Sequence, residues 1–243
     1  MGRSPLLGEF FGSFVLLLLG NGVCAAVTLR RSKAEGSGWL VVATGWALAV
    51  LCGIFAAQLF GSPDAHLNPA FTLAFSIKGH TYSNLLPYTL AQIGGGFCGA
   101  AVTVLFYWPH WAATEEPAAK LGVFATIPTF RIYGWAFFCE LVATFILVLI
   151  AGSMSSKLVL TTGAVAGLSP LLVSSLVWSI GLSLGATTGY AINPARDLGP
   201  RLAHALLPIP GKGRSDWGYA WVPFVGPLAG AGLAGLVLRW LGA

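Results

Sequence analysis

Long apolar stretches alternate with short polar ones along the whole chain, and six of the apolar stretches are long enough to cross a bilayer. They lie at about residues 6–28, 39–61, 85–107, 132–153, 163–185 and 217–240. A helix needs about 20 mainly apolar residues to span the hydrocarbon core. The pattern therefore predicts an all-α polytopic membrane protein with six transmembrane helices.

Two further apolar segments are too short to span. "HLNPAFTLAF", residues 66–75, lies between the second and third predicted spans, and "INPARDLGPRLAHALL", residues 192–207, lies between the fifth and sixth. Apolar pieces of this length are typical of re-entrant segments. We predict two re-entrant half-helices, and we expect the long polar connection at residues 109–130 to separate two halves of the chain.

The two halves of the chain carry the same sequence features in the same order. Glu9 opens the first span and Glu140 opens the fourth. The tripeptide Asn68-Pro69-Ala70 follows the second span, and Asn193-Pro194-Ala195 follows the fifth. Each half thus has three spans and one interrupted segment, and an odd number of spans makes the second half enter the membrane from the opposite side.

This order predicts an inverted internal repeat within a single transmembrane channel domain. The domain covers residues 1–243, with repeat one at about 1–112 and repeat two at about 128–243. Interrupted segments at corresponding positions of two such halves are the best sequence indication of a transport site.

The Asn-Pro-Ala tripeptides read as helix starts. Asn is a preferred N-cap and Pro is favoured at the first helical position. If the Asn oxygen caps its helix, the amide NH₂ is left as a donor toward a cavity, beside a helix N-terminus of partial positive charge. Two such starts meeting in the membrane would repel cations, including hydronium, and pass neutral molecules that accept hydrogen bonds.

The composition adds to this prediction only by excluding other classes of protein. The chain is 56% hydrophobic and 9% charged, whereas soluble domains are about 25% charged, so a water-soluble globule is excluded. The 13 basic residues form no run, which argues against a nucleic-acid partner. No metal-ligand spacing and no nucleophile–base pair is evident, so the sequence predicts no enzyme, no metal site and no cofactor.

The boxes "HLNPA" and "NPARDLGPR", together with the glutamates of the first and fourth spans, resemble the aquaporin family, also called major intrinsic proteins. The resemblance covers nearly the whole chain. It implies six tilted helices and two half-helices around one pore per protomer, normally in a homotetramer. Membrane lipid and copies of the chain are then the expected macromolecular surroundings, in a plasma or bacterial inner membrane.

The resemblance also implies a selectivity filter. Arg196 lies one turn into the second half-helix, where an ionisable residue is a functional candidate by default. Its implied partners are Tyr190 in the preceding loop, Gly181 in the fifth span and Trp46 in the second. Trp46 fits the family spacing only with a two-residue insertion before the first box. Without that insertion Leu48 would take its place.

The filter residues indicate a substrate. Trp46 and Tyr190 would form an apolar corner opposite the Arg196 donors, which suits a polyol with one C–H edge and one O–H edge. Asp197, Arg201 and the later Pro-Leu pair of span six resemble the glycerol-facilitator branch. We expect a passive channel for glycerol and similar solutes, with other polyols and urea possible and water also permeating. A water-selective channel is the alternative, since Tyr190 stands where Phe is frequent.

The membrane carboxylates Glu9 and Glu140 allow two interpretations. They could relay protons in a proton-coupled secondary transporter, or they could accept hydrogen bonds from the loop backbone and hold each half-helix. Their symmetry favours the second. We expect His66 to shape the pore-lining backbone, and Asp197 to organise its loop rather than contact solute.

The distribution of basic residues disagrees with the membrane orientation that the resemblance implies. The resemblance implies cytoplasmic termini, yet it places more basic residues outside than inside, contrary to the positive-inside rule. We follow the resemblance. The outer set would be Arg30, Arg31, Lys33, Lys120, Arg131, Arg196, Arg201, Lys212 and Arg214, and the inner set Arg3, Lys78, Lys157 and Arg239.

Overall fold

The computed structural model describes residues 2–154, 156, 158–159 and 167–243, and every regular element in these residues is an α-helix. In chain order the helices are α1 (Pro5–Thr28), α2 (Trp39–Phe60), α3 (Pro69–Gly79), α4 (Leu85–Phe106), α5 (Trp108–Ala113), α6 (Pro117–Phe124), α7 (Tyr133–Met154), α8 (Ser169–Ser183), α9 (Pro194–Leu206) and α10 (Val222–Leu241).

Five helices have the length and composition of membrane spans. They are α1, α2, α4, α7 and α10, each of 20 to 24 residues, and they match five of the six predicted spans. The span predicted at 163–185 corresponds to α8, an apolar helix of only 15 residues. Residues 163–166 of that prediction lie outside the described part of the chain.

The two short helices α3 and α9 are the predicted half-helices. They have 11 and 13 residues, and each begins at the proline of an Asn-Pro-Ala tripeptide with Asn68 or Asn193 as its N-cap. Both caps have extended backbone, whereas the prolines already adopt the helical conformation. Each tripeptide therefore starts a helix, as the capping preferences predict.

The helices of the two halves pack in matching pairs. Helix α1 packs against α2 and α4, and α7 packs against α8 and α10. The half-helices cross over: α3 packs mainly on α10, and α9 mainly on α4. Because each half-helix rests on the last span of the other half, the two halves interlock around the point where α3 and α9 begin.

Glycines permit the closest of these approaches. A Cβ on Gly95 of α4 would collide with the carbonyl oxygen of Phe10 in α1, and a Cβ on Gly230 of α10 would collide with that of Leu141 in α7. Small residues at such crossings are characteristic of membrane helix pairs, whose backbones come close enough for dense packing.

The connection at 109–130 differs from its prediction as a polar linker. It contains α5 and α6, and α6 packs on both α1 and α9. Trp111 and Phe124 are fully buried and stack with ring centroids 5.4 Å apart. Their burial outweighs the polar residues beside them, so the segment covers the second half-helix.

Candidate functional site

The two asparagines bring the half-helices together. Asn68 Oδ1 accepts a hydrogen bond from the Ala70 N–H at 2.8 Å, and Asn193 Oδ1 accepts one from the Ala195 N–H at 3.0 Å. Each oxygen thus satisfies a backbone donor that the first helical turn leaves without a partner.

The amide nitrogens are bonded across the interface. Asn68 Nδ2 donates to the Ile192 carbonyl, and Asn193 Nδ2 donates to the Leu67 carbonyl, both at 2.8 Å. This corrects the expectation that each NH₂ faces a cavity as a whole. One N–H of each amide is used to join the two loops, which leaves one N–H per asparagine.

The backbone before each asparagine is strained in the same way. Leu67 and Ile192, immediately before the two asparagines, have φ of +53° and +45°, and Ala65 and Tyr190, two residues earlier, have +44° and +38°. Left-handed backbone is costly for residues with a Cβ, and for β-branched Ile192 most of all. Such strain persists only where surrounding interactions fix it.

Those interactions come from the two buried glutamates. Glu9 accepts four hydrogen bonds, from the backbone N–H groups of His66 and Leu67 and from the side chains of Ser62 and Gln92, at 2.7–2.9 Å. Both backbone donors belong to the strained loop before Asn68. This carboxylate therefore fixes the first loop.

Glu140 repeats the arrangement in the second half. It accepts three hydrogen bonds, from the Thr188 hydroxyl and from the N–H groups of Ala191 and Ile192, at 2.7–2.9 Å. Both glutamates are fully buried. Ser62 and Thr188, the hydroxyl partners, were not singled out by the sequence analysis, although each lies five or six residues before its asparagine.

A cavity of about 340 Å³ passes the meeting point of the half-helices. Every fourth residue of α2 lines it, which places these residues on one helix face and gives the cavity a length of about 18 Å along α2. They are Trp46, Val50, Ile54 and Gln58. Asn68, Asn193 and His66 also line it, and α8 supplies the facing wall through Ser169, Pro170, Val173 and Val177.

Arg196, Trp46 and Tyr190 lie together at one end of this cavity. The guanidinium carbon of Arg196 is 4.1 Å from the centroid of the Trp46 ring, within the range of a cation–π contact. Arg196 also donates a long hydrogen bond, 3.5 Å, to the Phe124 carbonyl. The Trp46 indole N–H donates to Cys24 Sγ at 3.2 Å, which fixes the ring from behind.

The structure distinguishes the two candidates in α2. Trp46 is 4% exposed and lines the cavity, whereas Leu48 is 53% exposed on the outer surface. Helix α2 ends at Phe60, and Gly61 caps it with φ of +109°. The additional residues of "GSPD" are therefore accommodated after the helix, which leaves the position of Trp46 unchanged.

Gly181 lies near these residues but behind Tyr190. A Cβ on Gly181 would be 2.9 Å from Tyr190 Cζ and 3.0 Å from its hydroxyl oxygen. Gly181 is not among the described residues that line the cavity. The absence of a side chain at Gly181 thus makes room for the Tyr190 ring and does not itself form part of the described cavity wall.

Asp197 is buried in the protein and is not among the described residues that line the cavity. Its Oδ2 accepts from both the N–H and the hydroxyl of Thr126 at 2.7 Å, and its Oδ1 accepts from Arg201 Nε at 2.7 Å. Arg201 donates further to the Ser215 carbonyl at 2.8 Å. These bonds connect α9 to the segments before and after it.

His66 is half-buried in the cavity wall. Its Nδ1 is 3.2 Å from the Thr72 hydroxyl, and its ring stacks on Phe75 with centroids 5.4 Å apart. Within the described ranges, no three His, Cys, Asp or Glu side chains gather closely enough to hold a metal ion.

The family model described as major intrinsic protein matches residues 3–238. Glycerol uptake facilitator protein 3 of Lactiplantibacillus plantarum is 52% identical over 238 residues, 97% of this chain and 96% of its own. A probable glycerol uptake facilitator protein of Thermotoga maritima is 48% identical, covering 98% and 99%. The X-ray structure of the aquaglyceroporin from Plasmodium falciparum superposes with a TM-score of 0.82 at 28% identity, covering 96% and 94%.

Proposed function

The chain belongs to the major intrinsic protein family, and we propose that it is a passive channel for glycerol and similar small neutral solutes, with water also permeating. One observation carries the proposal: the buried Arg196 guanidinium lies over the Trp46 ring in a cavity that Tyr190 also lines. The relatives named as glycerol uptake facilitators support the same solute.

The chemistry of the three side chains suits a polyol. Arg196 offers fixed N–H donors that stay charged, and Trp46 and Tyr190 offer aromatic surface. Glycerol presents hydroxyls on one edge and C–H groups on the other, so it can satisfy both walls at once. The face of α2 below Trp46 continues with Val50 and Ile54, which keeps one wall apolar toward the centre of the cavity.

Charge excludes ions and protons in this proposal. The N-termini of α3 and α9, each equivalent to roughly half a positive charge, meet where Asn68 and Asn193 line the cavity. Arg196 adds a full positive charge nearer one end. A cation would therefore meet a repulsive potential twice, and a water that accepts from both asparagines is oriented against proton relay.

Proton coupling through the two glutamates is disfavoured by their contacts. All four carboxylate oxygens of Glu9 and Glu140 accept hydrogen bonds from the protein. Neither residue is among the described residues that line the cavity. A relay would have to break the bonds that fix the strained loops, so a structural role fits better.

A water-selective channel is the competing function, and one observation favours it. The Tyr190 ring fills the room next to Gly181, which narrows the opening beside Arg196 compared with a channel in which that room is open. The relatives named as glycerol uptake facilitators argue against this alternative.

For the assembly, we propose a homotetramer of single-domain protomers, each built from the inverted repeats 1–112 and 128–243. The chain is a multi-pass membrane protein, and we propose that both termini are cytoplasmic in the plasma or bacterial inner membrane. Large apolar side chains on the spans, such as Leu59, Leu90 and Leu105, are exposed on a single protomer and would contact lipid or a neighbouring copy.

The function is tested with purified protein in proteoliposomes by stopped-flow light scattering. A sucrose gradient should cause fast shrinkage, which reports water flux, and a glycerol gradient should cause shrinkage followed by re-swelling at least tenfold faster than in empty vesicles. Fast water flux with re-swelling no faster than in empty vesicles would overturn the glycerol assignment. Glycerol accumulation driven by a pH gradient would overturn the passive mechanism.

A further inference from the structure

Trp39 contacts the filter from outside the cavity lining. It is the first residue of α2, about 10 Å along the helix from Trp46. Its indole N–H donates to the Gly181 carbonyl at 2.9 Å, and its ring meets Tyr190 edge to face with centroids 5.7 Å apart. One side chain therefore touches both the glycine that makes room for Tyr190 and the tyrosine itself.

The place that Tyr190 occupies has no spare space on the α8 side. A Cβ on Gly181 would be 2.9 Å from Tyr190 Cζ, and a Cβ on Gly185 would be 2.7 Å from both Tyr190 Cδ1 and Trp39 Cζ2. Gly181, Gly185 and Trp39 thus enclose the outer side of the ring. Its other side lines the cavity with Trp46 and Arg196.

The hydroxyl does not provide an alternative anchor. Tyr190 Oη is buried and has no hydrogen-bond partner within the described chain. The backbone of Tyr190 is fixed, through the Thr188 hydroxyl at 3.3 Å and through Glu140 beyond it. The ring can still turn about its side-chain bonds, so the packing of Trp39 and the two glycines decides how far it reaches into the opening.

We propose that Trp39 is a specificity-determining positioning residue, which sets the aperture of the channel by holding Tyr190 at a fixed distance from Arg196 and Trp46. The solutes it selects among are linear polyols of increasing length. This inference rests on the proposed glycerol function. It extends that function, because the aperture depends on a residue one layer behind the pore wall.

The geometry predicts opposite effects for two variants. Trp39→Leu removes the aromatic edge and the N–H donor, so Tyr190 gains room to retreat. The erythritol-to-glycerol permeability ratio should then rise about threefold to tenfold, the size of one lost aromatic pair. Gly181→Ala places a Cβ whose three nearest neighbours are all Tyr190 side-chain atoms, at 2.9–3.1 Å. It therefore displaces the ring away from α8, and it should lower the glycerol-to-water ratio by a similar factor.

Trp39→Phe is the conservative variant. It keeps an aromatic edge beside Tyr190 but loses the hydrogen bond to Gly181, so its erythritol-to-glycerol ratio should lie between those of the wild type and Trp39→Leu. Trp178→Leu is the control, since Trp178 lies on α8, the helix that contains Gly181, but is 41% exposed on the outer surface. Its ratios should equal those of the wild type.

The experiment measures water, glycerol and erythritol permeabilities of all five proteins in proteoliposomes, each normalised to the amount of folded channel. If Trp39→Leu and Gly181→Ala change all three permeabilities in proportion, Trp39 only supports the fold and the inference is overturned. A wild type that passes water but not glycerol defeats the proposed function instead. In that case a gain of glycerol flux in Trp39→Leu would still support the positioning role, and no gain would overturn it.

Discussion

The position of the Tyr190 ring depends on the residues packed behind it, Gly181 and Trp39. Its position in the loop before the second asparagine was apparent from the sequence, and a tyrosine where phenylalanine is frequent left a water-selective channel as the alternative. The structure places the Tyr190 hydroxyl beside Gly181, with negligible accessible surface and no partner among the described residues. The ring face, and not the hydroxyl, borders the cavity.

Tyr190→Phe should therefore leave selectivity unchanged. Removing a buried hydroxyl that has no partner should leave the free energy of unfolding unchanged or raise it by about 1 kcal/mol. Stopped-flow water and glycerol permeabilities, together with thermal unfolding in detergent, provide the measurement. A severalfold loss of glycerol flux with water flux intact would show that the hydroxyl bonds the solute after all.

At the residue scale, the roles that could be predicted are those that depend on the local sequence. Asn68, Asn193 and Arg196 stand in motifs whose local capping chemistry or depth already indicates their roles. The relation of Tyr190 to Gly181 and Trp39 could not be predicted, because it depends on distances between segments over 140 residues apart in sequence. The choice of Trp46 over Leu48 depended on where two additional loop residues are accommodated.

At the scale of elements, each half-helix is held at its start by a carboxylate from another helix. Glu140 of α7 bonds the two N–H groups that precede Asn193, where Ile192 adopts its left-handed backbone. Glu9 of α1 does the same before Asn68. In both halves a buried carboxylate thus fixes the strained loop before a half-helix. The corresponding positions of the two glutamates in the sequence indicated this structural role.

Glu140→Gln should destabilise the channel and should neither introduce nor remove proton-coupled transport. The glutamine amide places N–H donors opposite a hydroxyl or backbone donors, which should lower the free energy of unfolding by about 1–3 kcal/mol. Thermal unfolding in detergent reports this loss. Glu115→Gln, at an exposed position, is the control.

Glycerol flux in folded Glu140→Gln protein should stay within about threefold of wild type, since the carboxylate does not contact the lumen. An unchanged melting temperature, or glycerol uptake that responds to a pH gradient in the wild type but not in the variant, would contradict the bracing role.

Helix packing provides a second element-scale prediction. Gly95→Ala forces a Cβ against the Phe10 carbonyl, so α1 and α4 must separate and the free energy of unfolding should fall by about 1–3 kcal/mol. Gly94→Ala is the matched control, because its Cβ would lie 3.6 Å from the Phe10 ring, an ordinary contact. Equal melting temperatures for the two variants would show that the α1–α4 crossing is not tightly constrained.

The covering role of residues 109–130 was not predictable from pattern alone. The segment shows little periodic spacing of apolar residues, and its helices α5 and α6 have only 6 and 8 residues. Such helices are stable only through tertiary contacts. The stacking of Trp111 on Phe124 and the packing of α6 on α9 provide those contacts.

At the scale of the whole molecule, several basic residues assigned to one side bind acidic side chains or backbone carbonyls of the connecting segments. Arg30 pairs with Glu35 at 2.8 Å, and its hydrogen bond holds the pKa of Glu35 below its usual value. Arg131 pairs with Asp216 at 2.7 Å, and Lys212 donates to the carbonyls of Ala205 and Leu207. These charges hold the connecting segments over the end of the molecule that contains Arg196.

If the termini are cytoplasmic, as proposed, these bonds give part of the outer basic residues a structural use that does not depend on which way the filter end faces. The segment before α2 supplies a direct test of orientation. Arg31 and Lys33 are exposed there, whereas much of the 109–130 connection is buried and should be a poorer protease substrate.

We expect trypsin, added to right-side-out vesicles, to cleave after Arg30, Arg31 or Lys33, which are all exposed, and to release an N-terminal fragment visible with a tag on the first residues. A triple variant, in which all three residues are replaced by Gln, should stay intact in this region. The same treatment of inverted vesicles should leave the segment uncut. Cleavage confined to inverted vesicles would place the filter end in the cytoplasm and would make the charge count, rather than the family resemblance, the better guide to topology.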